Sequence, residues 1–148
     1  MILKKGEITL SKKVLLISGS QSDEIFVKTA IDLFEEWKMS YDYKVFSAHR
    51  NLKELTKFIE ELPTNEYSVI IAVAGLSAAL PGVIASLTNL PVIGVPRDVG
   101  PLNGIDALLS MVQMPSGVPV ATMGIGSSGM KNAAYFAKRL IEGEKDGR

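Results

Sequence analysis

Short, fully apolar runs alternate along this chain with stretches of helical period, and that alternation leaves few folds open. Val14-Leu15-Leu16-Ile17 contains no polar residue and ends at Ser18-Gly19-Ser20. A strand with no polar face is buried on both sides, as strands are in parallel sheets covered by helices. Beyond the turn, Val27, Ala30, Ile31 and Phe34 recur at i, i+3, i+4 and i+7, which predicts an amphipathic helix over 23–38. The pattern then repeats, with strands at 43–46, 68–74, 91–95 and 118–123. Between them Leu52, Leu55, Phe58, Ile59 and Leu62 mark a helix stopped by Pro63, 77–88 reads as a helix apolar all round, and 104–112 as a short one. Ala133, Phe136, Ala137, Leu140 and Ile141 give a closing helix. The expectation is one α/β domain over 1–148, with a central parallel sheet in a three-layer α/β/α arrangement and 1–12 as a peripheral extension.

In an open parallel sheet, ligands gather at the carboxyl ends of the strands, so the segments following each strand are the candidate site. After the first strand comes GSQSD, 19–23. Gly19 suits a tight turn, Ser20 and Ser22 can face an anion at a helix start, and Asp23 can accept from sugar hydroxyls or simply cap the helix. After the second comes SAHRN, 47–51. Arg50 there can grip a phosphate through paired hydrogen bonds, and His49 can carry a proton near neutral pH. A gap-filling histidine beside a solvated arginine is the plainer alternative. AGLSAALPG, 74–82, is built of small residues that admit either a ligand to the backbone or a helix close to the sheet. PRDVGPLNG and QMPSGVP read as connectors, with Asp106, Gln113 and Met114 either lining a pocket or ending helices.

Composition excludes several chemistries. The chain has no cysteine, which removes disulfides, thiolate nucleophiles and cysteine-zinc sites, and its single histidine cannot build a multi-histidine metal site. Sixteen basic residues offset sixteen acidic ones, so no global field draws nucleic acid or an anionic membrane. Ser77, Pro81, Gly82 and Ser86 break the longest apolar stretch, which reads as core and not as a membrane span. The first residues lack the apolar region of a signal peptide, and a cysteine-free chain fits the cytoplasm.

Taken in order, GSQSD, SAHR, AGLSAALPG, LPVIGVP, LLSMVQMPSGVPVAT and KNAA form a series from Val14 to Ile141. It resembles the purine-biosynthetic family of N5-carboxyaminoimidazole ribonucleotide mutases and phosphoribosylaminoimidazole carboxylase catalytic subunits. SAHR with QMPSGVPVAT is the most specific part.

The resemblance implies a flavodoxin-like or Rossmann-like fold and conversion of N5-carboxyaminoimidazole ribonucleotide to its 4-carboxy isomer. It also implies a homo-octamer, a step needing no metal, cofactor or ATP, and a functional handover from the synthetase that makes the labile substrate. Matched residue by residue, it implies His49 as the catalytic acid and base. Asp23 falls on the ribose position, and Ser20 and Arg50 on the phosphate end, with Ser47 in the same motif. Gly19, Ser22, Gly75, Ser77 and Ala78 fall in its binding loops. One departure is visible: Ala79 stands where the mutase pattern has histidine before Leu-Pro-Gly. Animal-type carboxylases, which use carbon dioxide directly, also lack that histidine, so direct carboxylation of aminoimidazole ribonucleotide is an alternative. A non-catalytic nucleotide-binding relative is another.

Overall fold

The computed structural model describes residues 12–146. Five strands and five helices alternate: β1 (Lys13–Ser18), α1 (Glu24–Glu36), β2 (Tyr41–Val45), α2 (Leu52–Glu60), β3 (Tyr67–Ala74), α3 (Leu80–Leu87), β4 (Val92–Pro96), α4 (Ile105–Val112), β5 (Ala121–Thr122) and α5 (Ser127–Asp146). Of the expected peripheral segment 1–12, residues 1–11 lie outside the described residues, and Lys12 has no regular secondary structure.

All strand pairs are parallel, in the order β2-β1-β3-β4-β5. This is the flavodoxin-like doubly wound order, and its direction of winding reverses between β1 and β3. Alternate residues of each strand go to opposite faces. Val14, Leu16, Val69, Ile71, Val73, Ile93 and Val95 pack under α1 and α5, against Val27, Ala30, Phe34, Met130, Ala133, Ala134 and Ala137. Leu15, Ile17, Ile70, Ala72 and Val92 pack on the other side against Leu55 and Ile59 of α2, Leu80 and Ile84 of α3, and Ala107 and Met111 of α4. The unbroken apolar strands thus serve two cores at once, each fed by one parity of the same run.

Two elements begin three residues later than expected. The helix expected over 77–88 begins at Leu80, because Leu76 turns the chain with φ of 56° and Ala78 and Ala79 donate their N–H groups back to Leu76 and Ser77. Pro81 then sits in the first helical turn, where its missing N–H costs nothing. The apolar helix is not buried all round: Leu80, Pro81 and Ile84 are buried, whereas Ser86 is exposed. The strand expected over 118–123 shrinks to Ala121–Thr122, since Pro119 brings no N–H to a ladder. Gly94 lets the flanking elements close over β4. A Cβ there would lie 2.8 Å from Met111 Sδ and 2.9 Å from Val120 Cγ1.

Candidate active site

The carboxyl ends of β1, β2 and β3 open into one cleft of about 290 Å³ at the point where the strand order reverses. Every residue singled out from the three loops lines it: Gly19, Ser20, Ser22 and Asp23; Ser47, His49 and Arg50; Gly75, Ser77 and Ala78. Asp106, Gln113 and Met114 do not; Met114 packs its sulfur against Gly82 instead.

The first loop is held from below. Ser18 is fully buried at the end of β1, where its hydroxyl donates to Ser20 O at 3.1 Å and lies 2.8 Å from Tyr43 Oη on β2. Burial raises the Tyr43 pKa, and the Ser18 contact works against that rise. Residues Gln21–Asp23 then form a 3-10 turn with a reciprocal cap. Ser20 Oγ accepts from Ser22 N at 3.2 Å, and Ser20 N donates to Asp23 Oδ2 at 3.1 Å. The second loop repeats the device. Arg50 N donates to Ser47 Oγ at 3.2 Å, and Ser47 N donates to Asn51 Oδ1 at 2.6 Å. At both loops a serine oxygen accepts a backbone N–H, and its own proton can turn toward a ligand. His49 and Arg50 stand on the rim so formed, and both are exposed and line the cleft.

The third wall is the loop after β3. Gly75 has no room for a side chain, since a Cβ would collide with Val99 and stand 3.3 Å from Arg97 Cβ. The amino terminus of α3 opens onto this wall, with Ala79 and Leu80 in the lining. Its end therefore turns a partial positive charge toward the cleft. Asp23 is neutralised by a short ion pair with Arg97, 2.6 Å from Nη1 to Oδ1. The cleft's remaining formal charge is cationic, from Arg50 and from His49 when protonated, which suits an anion. Among the described residues no cluster of acidic residues and histidine could hold a metal ion.

Sequence reasoning missed Arg97, Asn51 and Val99. Arg97 stands directly after β4, where a site residue belongs, but its proline- and glycine-rich surroundings read as a plain connector. Asn51 lies inside the quoted SAHRN motif, and its function in the turn follows only from three-dimensional contact.

An open α/β sheet with an anion-suited, histidine-bearing cleft at its switch point defines a class of small-molecule enzyme scaffolds. Within that class the match is specific: the family model described as AIR carboxylase covers residues 13–147. The chain belongs to the AIR carboxylase family. It is 47% identical over 129 residues to the N5-carboxyaminoimidazole ribonucleotide mutase of Saccharolobus solfataricus, covering 87% of this chain and 80% of that one. It is 43% identical to the protein of the same name from Escherichia coli, covering 87% and 76%. For that from Bacillus subtilis the identity is 47%, covering 85% and 78%. A crystal structure of a Treponema denticola PurE2 variant superposes with a TM-score of 0.77 at 25% identity, covering 88% of this chain and 80% of that one.

Proposed function

We propose that this protein is a purine-biosynthetic isomerase that converts N5-carboxyaminoimidazole ribonucleotide to 4-carboxyaminoimidazole ribonucleotide. The observation that carries the reading is the convergence of Ser20, Asp23, Ser47, His49 and Arg50 on one cleft, in a chain whose relatives bear that name. Arg50 and the hydroxyls of Ser20 and Ser47 hold the phosphate, and Asp23 accepts from the ribose hydroxyls. Gly19 and Ser22 shape the same turn, and Gly75, Ser77 and Ala78 enclose the reacting carboxylate.

His49 acts twice. As imidazolium it protonates the exocyclic nitrogen as the N–C bond of the carbamate breaks, releasing carbon dioxide and leaving neutral imidazole. Ring carbon C4 attacks the trapped carbon dioxide, forming the new C–C bond. Neutral His49 then removes the C4 proton, which restores aromaticity and regenerates the imidazolium. The chain's own residues can perform both proton transfers, and none of these steps calls on a metal, ATP or a cofactor. Ala78 and Ala79 already spend their N–H groups on Leu76 and Ser77. The carboxylate therefore falls to the N–H groups of Gly75, Leu76 and Ser77.

Because Ala79 occupies the cleft wall where the mutase pattern has histidine, direct carboxylation of aminoimidazole ribonucleotide is the competing chemistry. The names of the relatives do not favour it. A side-by-side assay with purified protein separates the two. We expect the carbamate nucleotide to be consumed without ATP, metal or added bicarbonate. Turnover confined to aminoimidazole ribonucleotide with dissolved carbon dioxide would overturn the mutase reading.

The remaining expectations are proposals of the same reading. One domain carries the whole site, the chain works in the cytoplasm as a homo-octamer, and its labile substrate is handed over by the synthetase that makes it. No helix among the described residues is long and apolar enough to cross a membrane. Octamer formation is supported by α4. Ile105, Leu109 and Val112 follow one another at four- and three-residue spacing along its outer face, with Leu102 in the turn before it, each 48 to 56% exposed. The alanines of α5 are spent internally: Ala133, Ala134 and Ala137 are fully buried against the sheet.

A further inference from the structure

Arg97 does not line the cleft, yet its placement is fixed from several sides. Its backbone N–H donates to Ala74 O at 2.9 Å, continuing the ladder past the end of β4. Its guanidinium lies over the Phe26 ring, 4.8 Å from the centroid. Gly75 and Gly104 lack side chains where a Cβ would press on Arg97 Cβ and, at 2.7 Å, on Arg97 O. From there the side chain reaches from the end of β4 to the turn after β1 and meets Asp23 Oδ1 at 2.6 Å. Both members of the pair are largely withdrawn from solvent, at 19% and 9% side-chain exposure. Arg97 Nε is buried with no hydrogen-bond partner. The guanidinium is thus oriented toward Asp23 and Phe26 at the expense of one of its own donors.

The consequence falls on Asp23. Ser20 N holds one carboxylate oxygen and Arg97 holds the other, so the plane of the group is fixed from both ends. Each oxygen keeps a further lone pair, and the cleft is the open side. A carboxylate held in this way is set to accept from two adjacent hydroxyls, as a ribose offers, without first reorganising.

We propose that Arg97 is a positioning residue that fixes Asp23 for the ribose of the bound nucleotide, and so sets the preference of the cleft for a ribonucleotide over its 2′-deoxy form. This rests on the proposed role of Asp23. The test is calorimetric binding of 4-carboxyaminoimidazole ribonucleotide and its 2′-deoxy analogue to the wild type, Arg97→Gln, Arg97→Lys and Asp23→Asn.

The wild type should prefer the ribonucleotide by about tenfold or more, the worth of a hydrogen bond to a charged acceptor. Asp23→Asn and Arg97→Gln should both lose that preference, Arg97→Gln while binding the deoxy analogue within about twofold of wild type. Arg97→Lys, which keeps the charge but not the planar fork, should fall between and serves where Arg97→Gln does not fold. If Asp23→Asn loses the preference but the Arg97 variants keep it, the proposal fails while the reading of Asp23 stands. Equal weakening of both nucleotides in the Arg97 variants also overturns it, since that is the mark of a purely structural pair. A wild type that binds the two nucleotides equally overturns the role of Asp23, and the proposal with it.

Discussion

Two arginines near the cleft do opposite work. Arg97 is committed to Asp23, whereas Arg50 is exposed and has no ion pair among the described residues. A free guanidinium on a rim shared with serine hydroxyls is available to a phosphate, and its loss removes a charged contact without leaving a buried charge behind. Arg50→Ala should therefore weaken nucleotide binding by roughly 1.5–3 kcal/mol, about ten- to 150-fold in KM. Steady-state kinetics check this, and an unchanged KM would remove Arg50 from the phosphate site. The backbone that presents Arg50 is as specific as its charge. Ser47 and Asn51 tie residues 47–51 into a closed turn through hydrogen bonds in both directions.

Between elements, the sheet is secured at the end remote from the cleft by one polar knot. Tyr67 of β3 donates to Asp42 Oδ2 of β2 at 2.6 Å, and Lys13 of β1, the strand between them, lies 3.3 Å from the same oxygen. The Tyr67 hydrogen bond, more than the Lys13 charge, holds the Asp42 carboxyl below its ordinary value, against an opposing effect of burial. Burial first, and then the Asp42 hydrogen bond, push the Tyr67 hydroxyl well above its ordinary range. A lowered carboxyl pKa stabilises the fold above the unfolded value of 3.8 and loses that contribution as pH falls below it through the folded value. The tyrosine contributes in the opposite sense, fully below its unfolded value of 10.0 and decreasingly above it. Thermal melts of wild type and Asp42→Asn should therefore differ at neutral pH and converge as pH falls below 3.8. A constant difference across that range would remove the knot from the acid response.

The sequence made the elements legible to different degrees, for physical reasons. β1, β3 and β4 are buried on both faces, so apolar runs announced them. β5 pairs through only two residues, Ala121 and Thr122, whose partners on β4 are Ile93 and Gly94. Apolarity at Val118 and Val120 overstated its length, because hydrophobic pattern reports burial and not pairing. The start of α3 was hidden for the converse reason. Ala78 is buried like a helix residue although it sits in a turn set by the left-handed Leu76. The cleft residues could be grouped beforehand because strand ends can be counted. The Asp23–Arg97 pair could not, since its members are 74 residues apart and no local pattern links them.

For the molecule as a whole, the outer face of α4 carries the clearest consequence. A domain in water gains nothing from four half-exposed aliphatic residues, whereas subunit contact removes them from solvent. If the proposed homo-octamer uses this face, Leu109→Glu should break it into smaller species with a folded protomer. Multi-angle light scattering with circular dichroism reads both, and an unchanged mass would place the contact elsewhere. In the proposed mechanism one histidine, set on the rim of the flavodoxin-like switch point, carries both proton transfers of a carboxyl migration. The most direct measurement is turnover of N5-carboxyaminoimidazole ribonucleotide by His49→Asn, with binding of the 4-carboxy product followed on the same sample. Turnover should fall by about a hundredfold or more, with product binding within a few-fold of wild type. Near-normal turnover in a variant with no imidazole in its chain would contradict that mechanism.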